Sequence, residues 1–372
     1  MYGPGGVVIG LFFFVGTAWP CAALLTRDGG ALATSDAQEV ILQRNDAGLL
    51  TQYRVSYDGD AEDFGWLIVV EGAVTDGDVT EVEEAIFDDL REATQPTIVI
   101  QEADFGGGAS GSGGGCGRGR NQAKSSGSVD DPDAGGVFGD EALDQDNGID
   151  ITAEGFAGPF AYQALAATDA DALVAWLDEN DFALGGTAPT LEHYIEDGNY
   201  TFVAVSLSPD MAETPENGRT LPALAIQSDA DRMAFPARMS LTGMAEELRT
   251  TVWVVGDETA EIVDGWSSAR TPELYAATDP LEDYDELLRQ YADLDEKSYA
   301  AVFSGRVNGR WVTRFDTLAH RSVHTTDPAF EYTGDADSWR LEIIVEEGYN
   351  HAVVWFCLSM CGLGIARRRT NR

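Results

Sequence analysis

Residues 300–315 read AAVFSGRVNGRWVTRF. Two β-rich runs, Ala300–Phe303 and Trp311–Phe315, flank Asn308-Gly309, the strongest short hairpin signal in the chain. The same pattern recurs upstream, where Val40-Ile41-Leu42 and Leu49–Tyr57 flank the turn residues Asn45-Asp46-Ala47-Gly48. Phe64–Val70 and Thr97–Ile100 are short apolar runs consistent with buried strands. Further strands are expected at Tyr200–Ser206, Leu221–Gln227, Pro236–Leu241, Thr250–Val255 and Trp339–Val345. Helical periodicity is confined to a few segments. Thr80-Glu81-Val82-Glu83 fits a capping box opening a helix with Val82, Ile86, Phe87 and Leu90 on one face, ending before Pro96. Thr168–Asn180 places Ala172, Leu173, Trp176 and Leu177 inward, and Leu191–Asp197 is closed by Gly198. Asp279-Pro280 caps and starts a helix with Leu281, Tyr284, Leu288 and Tyr291 inward. The expected fold is α+β: mostly antiparallel β-sheets with a few packed amphipathic helices and no regular β-α alternation.

A low-complexity stretch, GGGASGSGGGCGRGRNQAKSSGSVDDPDAGG at 106–136, interrupts these elements. It lacks the GK[ST] of a phosphate loop and reads as a linker or long surface loop. It divides the chain into an N-terminal β-rich block at 24–105, a Gly-rich segment at 106–149 and a second α+β block at 150–345.

The two ends differ from this body. Residues 7–15 are uncharged and apolar, and are followed by Pro20 and small residues, the layout of a secretory signal peptide over 1–23. Ala352–Ala366 is again free of charge, and Arg367, Arg368, Arg369 and Arg372 follow. Residues 346–372 therefore read as a hydrophobic C-terminal anchor whose arginines face the cytoplasm. The 15-residue run would span about 22 Å as a helix, short against a hydrocarbon core of about 30 Å.

The chain of 372 residues has 64 Asp and Glu against 23 Lys and Arg, a net charge of −41. The segment 24–350 carries all the acids and 19 of the bases, for a local charge of −45. Nucleic-acid binding needs clustered Lys and Arg and is excluded as an expectation. Only Lys124 and Lys297 represent lysine. An acidic, lysine-poor surface suits a salty medium, and a GC-rich genome that encodes Arg in place of Lys is the alternative reason for the missing lysine.

Tyr53–Gly72 (YRVSYDGDAEDFGWLIVVEG), followed by Ile86-Phe87, Leu90 and Thr94-Gln95-Pro96, resembles a bacterial exported family defined only as domain of unknown function 2330. The family shows Y-x-G-x-A-E-D-F-x-W and then an L-F-x-x-L-x-x-x-T-x-P helix. Tyr57, Gly59, Ala61, Glu62, Asp63, Phe64, Trp66, Phe87, Leu90, Thr94 and Pro96 match, and the similarity covers most of 38–260. Where the family has Pro-Val-Pro after the Trp strand, this chain has Val69-Val70-Glu71. The resemblance implies export and an α+β domain, and supplies no catalytic residues.

Candidate chemistry is sparse. Asp58, Asp60, Glu62 and Asp63 cluster at a turn, an oxygen-rich setting for Ca²⁺ that a chain this acidic also produces as a solvated loop. Asp144–Asp150 resembles an EF-hand loop, but counting back from Gly148 puts Leu143 at the first ligand position. His320 and His324 share a face at four-residue spacing and, with Asp316 or Asp327, are candidate transition-metal ligands. Cys21 and Cys116 could form a disulfide only if signal cleavage leaves Cys21 on the mature chain. Trp66, Trp176, Trp253 and Trp311 fall inside expected strands or helices and read as core rather than as a carbohydrate platform. The function expected is a non-catalytic binding or structural module anchored in the cell envelope, with an envelope protein or polysaccharide as partner and no cofactor. The alternatives are an envelope metal-dependent hydrolase using His320 and His324, or a calcium-stabilised adhesion protein.

Overall fold

The computed structural model describes residues 23–26, 35–57, 64–101, 148–182, 188–207, 219–220, 222–241, 244–276, 279–294, 296–335, 337–346 and 365–368. The described elements begin with strands β1 (Ala23–Thr26), β2 (Ser35–Asn45), β3 (Gly48–Tyr57), β4 (Phe64–Glu71) and β5 (Val79–Val82), helix α1 (Ala85–Thr94) and strand β6 (Thr97–Gln101). A hairpin of β7 (Ile149–Ala157) and β8 (Phe160–Ala167) precedes helices α2 (Ala170–Glu179) and α3 (Ala188–Asp197). Next come β9 (Tyr200–Leu207), β10 (Arg219–Thr220), β11 (Ala223–Ser228), β12 (Met233–Ala234), β13 (Met244–Gly256), β14 (Ala260–Asp264), β15 (Ser267–Ala269) and β16 (Glu273–Ala276). Helix α4 (Pro280–Ala292) leads into β17 (Ser298–Val307), β18 (Arg310–His320), β19 (Ala329–Tyr332), β20 (Trp339–Arg340), β21 (Glu342–Glu346) and β22 (Ile365–Arg368). The described residues thus form mostly β-sheet with four helices, an α+β arrangement.

The spine is a ten-stranded sheet ordered β15-β17-β18-β13-β2-β3-β11-β5, with β10 added beside β3 and β20 beside β17. A five-stranded sheet, β1-β4-β9-β8-β7, packs against one of its faces. Val40, Leu42, Tyr53, Val252, Val254 and Phe315 of the large sheet meet Trp66, Ile68, Phe160, Val203 and Val205 of the small one. Trp66 is fully buried and takes Tyr53 edge-on at 6.1 Å between ring centres. The outer face of the small sheet, with Leu67, Val69, Leu165 and Phe202, is covered by Leu173, Trp176 and Leu177 of α2 and Leu191 and Tyr194 of α3. The far face of the large sheet is covered by α1, α4 and a four-stranded sheet ordered β16-β21-β6-β22. A three-stranded sheet, β12-β19-β14, completes the fold.

The expected hairpins form as read. Asn308 and Gly309 have φ of 50° and 90°, the two left-handed residues of a type I′ turn whose twist matches its strands. At the β2–β3 turn Gly48 has φ of 123°, and a Cβ there would sit 2.2 Å from the Ser228 carbonyl oxygen. Asp169 caps α2 by accepting from the Ala172 N–H at 2.8 Å. Asp279 caps α4 by accepting from Leu281 N–H at 2.8 Å, with Pro280 in the first turn.

Two expected elements are corrected. Thr80–Glu83 does not open a helix: Val79–Val82 is strand β5, paired antiparallel with β11. Helix α1 starts three residues later with Glu84 before it and no side-chain cap, so Val82 is off its face and Ile86 is 37% exposed. The β-branched Val79, Thr80 and Val82 favour pairing with the waiting edge of β11 over a local cap. Pro236–Leu241 is not a strand but leads into a 3-10 turn at Ala237–Leu241.

The strands before and after the Gly-rich segment share sheets. β2 and β3 lie between β13 and β11, and β4 pairs with β9. Blocks 24–105 and 150–345 are therefore interleaved in space. Most pairings are antiparallel, but β2 runs parallel to β13. Ile365–Arg368, where the expected tail helix meets its arginine cluster, is extended and pairs with β6. Among the described residues no helix is long and apolar enough to cross a membrane.

Candidate ligand cavity

Strand periodicity sorts the residues of the large sheet onto two faces. Tyr53, Val40, Val252 and Phe315 form one register row across β3, β2, β13 and β18 and point into the core against the small sheet. The next row, Arg54, Glu39, Thr251 and Asp316, points the other way. Arg249 and Arg314 share that second face, because each lies an even number of residues from Thr251 or Asp316 on its own strand.

The charges on this face pair across elements. Arg54 donates from Nε to Glu39 at 2.6 Å and from Nη1 to Asp88 of α1 at 2.7 Å. Arg91, one turn after Asp88, joins the same two carboxylates. Arg249 pairs with Asp285 of α4. Arg314 chelates Asp316 through Nε and Nη2 at 2.8 and 2.7 Å, and the Tyr284 hydroxyl donates to the same carboxylate at 2.5 Å. Asp316 is fully buried and Arg314 only 8% exposed. Burial alone would raise the Asp316 carboxyl, but the Arg314 charge and the hydrogen bonds from Arg314 and Tyr284 outweigh it and hold it below its ordinary value. Burial, together with the Asp316 charge, pushes the Tyr284 hydroxyl well above its usual value, so it stays a donor. The aromatic faces help: Arg54 stacks over Phe87 at 4.9 Å and Arg314 over Trp253 at 5.6 Å.

Between this face and its cover lies a cavity of about 430 Å³. Its floor is Ala37, Gln38, Glu39, Arg54, Arg249, Thr251 and Arg314 from the sheet. Its walls are Arg91, Gln95 and Pro96 at the end of α1, Ile98 of β6, Leu281, Tyr284 and Asp285 of α4, and Ile343 of β21. The volume falls within the range of small-molecule sites, and apolar walls with a few convergent polar groups are their usual make-up. Gln38 is fixed at the edge, donating to Thr250 Oγ1 at 2.6 Å and accepting from Ser240 Oγ at 3.0 Å. Two guanidinium nitrogens of the lining residues are enclosed without a well-formed hydrogen bond: Nη1 of Arg314, and Nη2 of Arg54, which lies 2.6 Å from Glu39.

Apart from Asp316, the residues singled out from sequence lie elsewhere. Asp58, Asp60, Glu62 and Asp63 are outside the described residues, as are Asp144–Asn147, Cys21, Cys116, Arg369 and Arg372. Arg367 and Arg368 are described only as backbone of β22. His320 and His324 are not brought together. His320 is exposed at the end of β18, where its Nδ1 faces Ser322 Oγ at 2.8 Å and Nε2 lies 3.7 Å from Glu246. His324 is fully buried against Trp266, 5.8 Å between rings, with no well-formed hydrogen bond at either ring nitrogen. Burial lowers it to about 4, only partly offset by the Ala319 backbone. Of the carboxylates weighed beside them, Asp316 is held by Arg314 and Tyr284. Asp327 accepts from the Tyr194 hydroxyl at 2.9 Å and the Arg238 N–H at 2.8 Å. Among the described residues no group of three or more His, Cys, Asp or Glu is placed to hold a metal ion. Trp66, Trp176, Trp253 and Trp311 are all buried, as expected of core.

No sequence motif marks the cavity, since Arg54, Arg91, Arg249 and Arg314 are scattered over the chain. A signal was nonetheless present. Arg314-x-Asp316 puts two charges on one face of a strand whose other residues from Trp311 to Ala319 are uncharged, and every residue in that span is buried.

No curated protein and no solved structure matches the chain. A protein-family profile described as an uncharacterized protein conserved in bacteria (DUF2330) matches residues 15–262, about two-thirds of the sequence. That span includes β2 to β13, and so Glu39, Arg54, Arg91 and Arg249 of the cavity; the chain belongs to this family of uncharacterized bacterial proteins.

Proposed function

We propose that this chain is a non-catalytic binding module of the cell envelope, exported through residues 1–23 and tethered through 346–372 once Ile365–Arg368 leaves its place beside β6, which takes a small ligand in the arginine-lined cavity. One observation carries the reading. Four arginines of a chain with a net charge of −41 converge around a single cavity of about 430 Å³ with largely apolar walls. Buried ion pairs are weak contributors to stability. Two of them, Arg54–Glu39 and Arg314–Asp316, are buried beside an open volume, which is better accounted for by recognition than by packing. The acidic surface excludes nucleic acid as the ligand.

Thermal unfolding against a mixed small-molecule library tests the binding reading. At least one chemical class raises the midpoint of the wild type and leaves an Ala37→Trp variant, whose cavity floor is filled, unmoved. A library without effect on the wild type, or with equal effect on both, overturns it. The envelope placement is tested separately by cell fractionation, and full-length protein in the soluble fraction refutes the tether.

A further inference from the structure

Resting on that reading, the ligand's chemistry follows from which charges of the cavity are still open to it. Four guanidiniums line the cavity against two carboxylates, Glu39 and Asp285. Arg54 and Arg314 are enclosed in the ion pairs already described, with only 6% and 9% of their side chains accessible. Arg91 is half exposed, but its Nε, Nη1 and Nη2 are all committed to Glu39 and Asp88. Arg249 differs. It lies on an inner strand of the large sheet, yet 31% of its side chain is accessible and it lines the cavity. Among the described residues its guanidinium makes one hydrogen bond, from Nη2 to Asp285, so Nε and Nη1 are uncommitted. Asp285 is itself 33% accessible, and ion pairs this exposed contribute little, so it can yield its place to a ligand oxygen and remain solvated. A ligand carboxylate bonds a guanidinium more strongly than a neutral oxygen does, and can engage it through both oxygens. Beside this point the cavity is apolar. Leu281 precedes Asp285 by one turn on the same face of α4, and Ile98 and Ile343 are register partners on the adjacent strands β6 and β21.

We infer that the cavity takes a small monocarboxylate with an apolar body, which sets its carboxylate on Arg249 in place of Asp285 and lays its body against Ile98, Leu281 and Ile343.

The test is calorimetric titration of the full chain in about 0.15 M salt, which screens the acidic surface beyond roughly 8 Å. Three probes share one carbon skeleton: 4-phenylbutanoate, 4-phenylbutanamide and 4-phenylbutylammonium. The carboxylate binds at least tenfold more tightly than the amide or the ammonium. Arg249→Met loses carboxylate binding at least tenfold. Asp285→Asn, which keeps the shape of the side chain and removes its charge, tightens carboxylate binding at least threefold, a gain that damage to the fold would not produce. Amide binding as tight as the carboxylate overturns the proposed ligand charge. Undiminished carboxylate binding in Arg249→Met overturns the role of Arg249, and unchanged or weaker binding in Asp285→Asn overturns the exchange with Asp285. If none of the three probes binds, the proposed ligand class is wrong. The cavity as a binding site then stands or falls on the library experiment with Ala37→Trp.

Discussion

Phe315 and Asp316 are neighbours in β18, equally buried, and belong to two different kinds of interior. Phe315 faces the small sheet in an apolar cluster with Tyr53, Val252 and Phe330. Asp316 faces α4, where Arg314 and Tyr284 surround its carboxylate. The first face gains its stability from area removed from water. The second pays desolvation that its ion pairs roughly return. One sheet thus has a face that holds the protein together and a face on which chemistry has been placed at little net gain in stability.

Single substitutions break this contrast, and combined ones sharpen it. Phe315→Ala empties part of the apolar core and is expected to cost about 3–5 kcal/mol in urea unfolding, with no second substitution nearby restoring it simply. Asp316→Ala leaves the Arg314 guanidinium buried and unpaired, for a similar loss of about 3–5 kcal/mol. Here the triple change Arg314→Met/Asp316→Leu/Tyr284→Phe, which also removes the hydroxyl that donates to Asp316, is expected to return stability to within about 1 kcal/mol of the wild type or above it. If the triple variant is as unstable as the single one, the polar face is structural after all.

A smaller effect is pH-dependent. His324 is enclosed beside Trp266 of the apolar core, and its folded value of about 4 lies below the ordinary 6.5. The folded state therefore holds it neutral. Its contribution is fully present above pH 6.5 and is lost as pH falls toward 4, a change of about 3 kcal/mol. His324→Phe should flatten the stability profile across that window, as followed by urea midpoints at pH 7, 5.5 and 4.5. An unchanged slope would mean that the histidine is hydrated or paired. The smallest effect is expected at the rim of the polar side. Arg289, about 38% exposed, pairs with Glu247, and Arg289→Ala should cost under about 1 kcal/mol, and less still in high salt.

Much of the framework was legible from local signals. Asn308-Gly309 and Asn45–Gly48 encode turns whose backbone only a few residues tolerate, and Asp279 encodes a cap. Each of these decisions is made within a few residues. The failures are competitions. Thr80–Glu83 satisfies the spacing of a capping box, but Val79–Val82 is taken by β11, more than 140 residues later, and no local rule sees that partner. The β7–β8 hairpin, rich in Ala and Gly, was missed because its strands lack a strong β composition. The cavity was illegible for the same reason as β5: its arginines come from four elements, and register across strands brings them together. The histidine pair shows the converse. Four-residue spacing promised a shared face, but β18 ends at His320 and the 3-10 turn that follows rotates His324 inward.

The parallel seating of β2 against β13 has a kinetic meaning. Gln38 and Thr250, hydrogen-bonded across that seam, are 212 residues apart. The centre of the large sheet cannot close until most of the chain is present, and its closure must overcome the entropy of a very long loop before any contact rewards it. The β2–β3 and β17–β18 hairpins can form early, each on its own. Contact order thus predicts that they precede the β2–β13 seam, an order that refolding rates of Val40→Ala and Val302→Ala variants would check.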